Sequence, residues 1–170
     1  MTALHGMPIE EEFQRSRASI LASSIYLPQR EVGAYSLLDT GCEGYSFIDL
    51  DWADEKEIPL YPMRKPFSLV GYDGERKEER TVKYYARVTF RVGDHIEKDM
   101  VMFATPLAHY HVILGNPWLE KHDPHTGWAS RTITFDSEYC RKHCNMSSQP
   151  QRHQMLRDLP KKTLPTNREV

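Results

Sequence analysis

Hydrophobic positions along the chain repeat with a period of two far more often than with a period near 3.6. Arg87-Val88-Thr89-Phe90-Arg91-Val92 alternates strictly between polar and apolar residues, the signature of a strand with one face buried. Gly93-Asp94 then supplies turn residues and Met100-Val101-Met102-Phe103-Ala104 a second apolar run, so the segment predicts a hairpin. Ser19 to Tyr26 and Ala34 to Leu38 read as two further strands joined through the turn-like Pro28 to Gly33. Ser130 to Phe135, with β-branched Thr132, Ile133 and Thr134, reads as a last one. Helical signals are few. Asn116 suits an N-cap, Pro117 suits the first helical position, and the pattern stops before Pro124. A second short helix is expected from about Phe47 to Lys56. The pattern predicts a mainly β domain with one or two short helices.

The periodic region has polar flanks. Residues 1–16, with Glu10, Glu11 and Glu12 in succession, read as a polar N-terminal extension, and 17–144 carry the domain. Residues 145–170, punctuated by Pro150, Pro160 and Pro165, read as a disordered linker or tail. A length of 170 residues fits one domain. A hydrophobic fraction of 39% with 27% charged residues excludes a collagen-like, coiled-coil or wholly disordered chain. Net charge is −2, unevenly spread: residues 141–170 hold seven Lys/Arg against two Asp/Glu, or +5, leaving −7 elsewhere. That basic end reads as a solvated linker, so nucleic acid is not the expected partner of this segment. No apolar run approaches the roughly 18 residues of a membrane span, and no secretory signal pattern opens the chain, so an intracellular, cytoplasmic protein away from membranes is expected. Cys42, Cys140 and Cys144 are too few and too clustered for a disulfide framework and are read as reduced thiols.

The chemical signal is Asp39-Thr40-Gly41, which follows directly on the apolar strand Ala34 to Leu38. A strand end holds a carboxylate rigidly, the threonine offers a supporting hydroxyl, and the glycine admits close backbone approach. The same triplet could also be a plain β-turn. Context adds weight. About 75 residues on, His111-Val112-Ile113-Leu114-Gly115 is a second apolar strand ending in glycine, followed by Asn116-Pro117-Trp118-Leu119. Between the two lies the glycine-bracketed turn Val70-Gly71-Tyr72-Asp73-Gly74, suited to a mobile hairpin.

Together these elements resemble a retropepsin-like aspartic proteinase, in particular the proteinase segment of a gypsy-type LTR retrotransposon polyprotein. Asp123-Pro124, Trp128 and Ile133 to Cys140 are similar to fungal members. The resemblance spans about residues 17–144. It implies a closed β-barrel, one half of the acid-protease fold, in which Asp39, Thr40 and Gly41 are catalytic. It further implies that residues 70–74 form a substrate-covering flap and that Ile113, Leu114 and Gly115 support the active-site loop. Cys42 departs from the family, where alanine is more usual at that position.

The implied mechanism needs two carboxylates. At about 3 Å apart they cannot both ionise and share one proton, as aspartic proteinases generally do. One then takes a proton from water while the other polarises the scissile carbonyl. This chain has one suitable triplet: Asp136-Ser137-Glu138 lacks the glycine and Asp73-Gly74 the hydroxyl, while Asp49 and Asp51 are expected as solvated helix carboxylates. The expected enzyme is therefore a homodimer that cleaves extended peptide segments, foremost its own gag-pol polyprotein, in the cytoplasm or within virus-like particles. The alternative is a catalytically silent module kept for assembly or binding. No cofactor and no metal are expected. Cys140, His143, Cys144 and His153 do not give a complete zinc spacing, and the two cysteines are read as free thiols. His109 and His111 are read as strand-edge residues, and Trp52, Trp118 and Trp128 as core or interface aromatics.

Overall fold

Strand alternation closes a barrel. The computed structural model describes residues 3–4, 7–8, 18–70 and 76–160. Two short N-terminal strands, β1 (Ala3–Leu4) and β2 (Met7–Pro8), pair with each other inside the region expected as an extension. The main sheet is built from β3 (Ile20–Leu27), β4 (Arg30–Asp39), β5 (Ser46–Asp49), β6 (Tyr61–Val70), β7 (Arg76–Val92), β8 (His95–Thr105) and β9 (Val112–Gly115). Its order is β3-β4-β9-β5-β8-β7, and β7 returns to β3 through Ile25 opposite Phe90, which closes six strands on themselves. β6 flanks the barrel as a seventh strand on β7. Its Pro62 and Pro66 are tolerated there because an edge strand does not need every N–H.

The inward faces supply the core: Leu21 and Ile25 from β3, Val32 and Ala34 from β4, Phe90 and Val92 from β7, Met100 and Met102 from β8. One polar pair sits among them. Ser23 Oγ donates to the Ala34 carbonyl at 2.8 Å and lies 2.7 Å from Ser36 Oγ, so the two hydroxyls satisfy each other between β3 and β4. Two turns are tight. Leu27 pairs Arg30 across Pro28-Gln29, and Val92 pairs His95 across Gly93-Asp94, where Gly93 takes φ +57°. A Cβ at Gly93 would also meet the His153 ring at 2.3 Å, so this turn is both conformationally and sterically reserved for glycine.

Among the described residues, three short helices lie outside the barrel: α1 (Leu50–Glu55), α2 (Asn116–His122) and α3 (Glu138–His143). No helix among the described residues is long and apolar enough to cross a membrane. A satellite antiparallel sheet, β10 (His125–Gly127), β11 (Thr132–Thr134) and β12 (Arg152–Gln154), packs beside them.

Several expectations change. The helix expected from Phe47 to Lys56 is a strand followed by a helix, because Ser46, Phe47 and Ile48 are all buried between β8 and β9. Asn116 is not the N-cap of α2; Gly115 is, with no side-chain hydrogen bond, and the helix stops at Asp123 in the left-handed region. The last strand is shorter than Ser130 to Phe135. The expected linker does not begin at 145. Arg152–Gln154 adds a strand to β11, Met155 is buried, and Ile20 and Leu156 exchange backbone hydrogen bonds of 3.0 and 2.8 Å. Residues 161–170 lie outside the described residues.

Candidate active site

Asp39 is the last residue of β4 and is held by strand pairing on one side. β9 runs parallel to β4 with Leu38 opposite Leu114 and Asp39 opposite Gly115. The loop that follows folds back on the carboxylate: Gly41 N–H donates to Asp39 Oδ1 at 3.0 Å, and Cys42 N–H to the Asp39 carbonyl at 3.1 Å. β9 then grips the loop. Gly115 N–H donates to the Tyr45 carbonyl at 2.9 Å and Asn116 N–H to the Cys42 carbonyl at 2.8 Å. Contact is so close that a Cβ on Gly115 would lie 1.7 Å from the Gly44 carbonyl oxygen and 3.0 Å from that of Cys42. Only hydrogen fits. Ile113 and Leu114 continue the same strand, Leu114 fully buried, and pair with β5 through Phe47 and Ser46.

Asp39 is half-buried while Thr40 and Gly41 are exposed. The loop therefore presents a carboxylate, a hydroxyl and backbone groups to the surface from a rigid base. Cys42 is half-buried beside them. Burial pushes its thiol up from the ordinary range, with the negative charges of Asp39 and Glu43 adding to the shift, so it stays protonated near neutral pH.

On either side of the expected flap tip, β6 and β7 pair antiparallel with Val70 opposite Arg76. Gly71, Tyr72, Asp73 and Gly74, its expected tip, lie outside the described residues.

Asp49 is not a solvated helix carboxylate. It caps α1, accepting from Trp52 N–H at 2.9 Å through Oδ2 and from Leu107 N–H at 2.7 Å through Oδ1, whereas Asp51 is exposed. His111 is structural too. Its Nδ1 accepts from Tyr35 N–H at 3.0 Å and its ring stacks on Trp52 at 4.3 Å, which joins β4, α1 and the approach to β9. Trp52 and Trp118 are buried; Trp128 is exposed.

A family model described as the PEG10/RTL1 protease domain matches residues 35–144, from the strand that carries Asp39 to the end of α3. The chain belongs to the PEG10/RTL1 protease domain family. Among solved structures it is similar to the retroviral protease-like domain of Ddi1 from Leishmania major. The two are 14% identical, the match covers 86% of this chain and 98% of that one, and the TM-score is 0.47. As a PEG10/RTL1 protease domain the chain is a retropepsin-like module, mainly β, with the closed barrel described above.

A second constellation lies away from Asp39. His95, at the start of β8, His122, at the end of α2, and Cys140 and Cys144, in and just after α3, are all buried and bring their donor atoms within 4.8 Å of one another. The hydrogen bond from Cys144 pulls the Cys140 thiol well down and pushes Cys144 up. His143 and His153, the histidines singled out beside these cysteines in the sequence, are elsewhere. His143 is exposed against Tyr139, and His153 lies near Phe135 and Asp94. The two cysteines are visible in the sequence as a pair four apart. His95 and His122 are separated from Cys140 by 45 and 18 positions and join the cysteines only through the fold.

Proposed function

We propose that the chain is an aspartic endopeptidase of the gypsy-type LTR retrotransposon kind, active as a homodimer with one Asp39 from each subunit. The observation that carries this reading is the Asp39 loop itself. A half-buried carboxylate is fixed by parallel strand pairing and by the Gly41 N–H, while the flanking Thr40 and Gly41 remain exposed. One carboxylate cannot serve as acid and base at once, and a two-fold axis beside this loop brings a second, identical one to the first.

In that dimer the two Asp39 carboxyls share a proton because like charges about 3 Å apart cannot both ionise. The ionised member takes a proton from a water molecule, and the protonated member hydrogen-bonds the scissile carbonyl oxygen. Water oxygen bonds to the carbonyl carbon, and a proton then passes to the departing amine nitrogen as the C–N bond breaks. The substrate is an extended peptide segment, foremost a junction of the polyprotein that carries the domain, laid between the Asp39 loops and the β6–β7 hairpins. The compartment that goes with this reading is the cytoplasm, inside the particles such a polyprotein assembles.

The test is cleavage of a polyprotein-derived peptide by the purified chain and by Asp39→Asn, each with and without a statine-type inhibitor. Cleavage that the inhibitor blocks and Asp39→Asn abolishes, with unfolding behaviour unchanged, supports the proposal. Turnover retained in Asp39→Asn removes Asp39 from the mechanism. A folded wild-type dimer that cuts no such peptide leaves the retropepsin-like module as a binding or assembly element.

A further inference from the structure

The buried His95, His122, Cys140 and Cys144 are independent of the peptidase reading. We propose that these four side chains form a structural zinc site that locks the satellite helices to the barrel.

Donor geometry comes first. His95 Nε2 lies 3.3 Å from Cys140 Sγ, His122 Nδ1 lies 3.4 Å from the same sulfur, and Cys144 Sγ is 3.8 Å from His122 Nδ1. With Zn–S near 2.3 Å and Zn–N near 2.0–2.1 Å, a tetrahedral centre requires ligand-to-ligand edges of about 3.3–3.8 Å. These three edges fall in that range. The donor atoms are two imidazole nitrogens and two sulfurs, a pairing that selects zinc among the common divalent ions over magnesium or calcium. His95, His122 and Cys140 are fully buried and Cys144 is 6% exposed. The site is therefore closed to substrate, as structural rather than catalytic zinc sites are.

The second observation concerns what lies behind the ligands. His122 uses Nδ1 toward the sulfurs, and its other nitrogen, Nε2, is 2.9 Å from Glu97 Oε1. Glu97 is itself held by Tyr45 OH at 2.7 Å and Trp118 Nε1 at 2.9 Å. A carboxylate that receives the far N–H of a histidine fixes its tautomer and leaves the near nitrogen with a free electron pair for a metal. Nothing in Asp39 chemistry calls for this arrangement. Nδ1 of His95 has no hydrogen-bond partner among the described residues, so the outer shell is built on the His122 side; the His95 ring is instead positioned by stacking on Phe135 at 4.0 Å.

The location explains what such a site does. His95 opens a barrel strand, while His122 lies on α2, Cys140 on α3 and Cys144 at the C-terminal cap of α3, and the two helices pack on each other. A zinc ion bridging them ties the barrel strand to α2 and α3 within the core that the barrel shares with Trp118, Ile133 and Phe135. Binding couples directly to folding, since the unfolded chain has no assembled site.

The experiment is metal analysis of the full chain, untagged, expressed in zinc-supplemented medium and purified without chelator. One zinc per chain is expected. Exchange with cobalt should give the intense visible bands of a tetrahedral centre with a thiolate-to-cobalt charge-transfer band. Cys140→Ser and Cys144→Ser should lose the metal, Cys42→Ser should keep it, and Glu97→Gln should weaken zinc affinity by about 10–100-fold. Should a cysteine variant fail to fold, the wild-type stoichiometry, its cobalt spectrum and Glu97→Gln still decide. Folded wild-type chain that carries no stoichiometric zinc overturns the proposal. So does zinc retained equally in both cysteine variants, or a cobalt spectrum without thiolate ligation.

Discussion

Replacing Gly115 by alanine adds one methyl group at the point where β9 grips the Asp39 loop. That methyl would lie 1.7 Å from the Gly44 carbonyl oxygen, where ordinary contact begins near 3.4 Å. The obstructing atom is backbone, so no rotamer change relieves it, and the loop must withdraw by about 1.7 Å. Such overpacking costs about 1–3 kcal/mol. Withdrawal also breaks Gly115 N–H to Tyr45 O and Asn116 N–H to Cys42 O, each worth about 1 kcal/mol. Together these give about 3–5 kcal/mol, or a midpoint lower by about 6–20 °C for a chain of this size. Thermal unfolding followed by circular dichroism measures it. If the chain cleaves peptide, misplacing Asp39 by about 1 Å should lower turnover by about 10²-fold. Gly33→Ala is the control, because nothing lies within 4 Å of a Cβ there and the midpoint should barely move. A Gly115→Ala protein that melts within a degree or two of wild type would refute the reasoning, since the strand and loop could not then be in contact.

Three further outcomes are expected. Met155→Ala should lower stability by about 2–4 kcal/mol, because a side chain only 2% exposed leaves a cavity; an unchanged denaturation midpoint would put residues 152–156 off the body. Cys42 should be alkylated by iodoacetamide more slowly than a free cysteine at pH 7.5 and should gain rate only as pH rises, since burial holds its thiol up; peptide mass spectrometry reads this, and a rate above that of free cysteine would contradict it. For the proposed dimeric peptidase, specific activity should fall on dilution and also as excess Asp39→Asn chain is mixed in, because mixed dimers would hold one competent acid. Raising the pH should weaken that proposed dimer, as removing the shared proton would leave two negative carboxylates facing each other. Sedimentation and activity measured together check this, and constant activity per chain in a monomeric sample would exclude a shared site.

Legibility followed physical scale. The β7–β8 hairpin was readable because Arg87 to Val92 alternates strictly and one face meets the core. Asp39 at a strand end was equally plain, since the apolar run stops there and turn residues follow. What local pattern could not express was pairing between distant segments. Phe47 and Ile48 look helical beside Leu50, and only their position between β8 and β9 makes them strand residues. Arg152-His153-Gln154 has no apolar alternation at all; its strand character comes from the backbone groups that β11 offers and from Met155 next to it. The histidine–cysteine cluster was hidden for the same reason. Cys140 and Cys144 are one helical turn apart, whereas His95 and His122 reach them through barrel and helix packing that sequence spacing does not express.

The backbone bridge between Ile20 and Leu156 has a topological consequence. Within the described residues, the backbone at Ile20 and at Leu156 runs side by side and antiparallel. Such a body can be set into a surface loop of a longer polypeptide without forcing the host's flanking segments apart, a property that favours both domain insertion and circular permutation. Joining the region before Ile20 to the region after Leu156 by a short linker, and opening the chain at Pro28-Gln29, should leave every strand neighbour of the barrel unchanged.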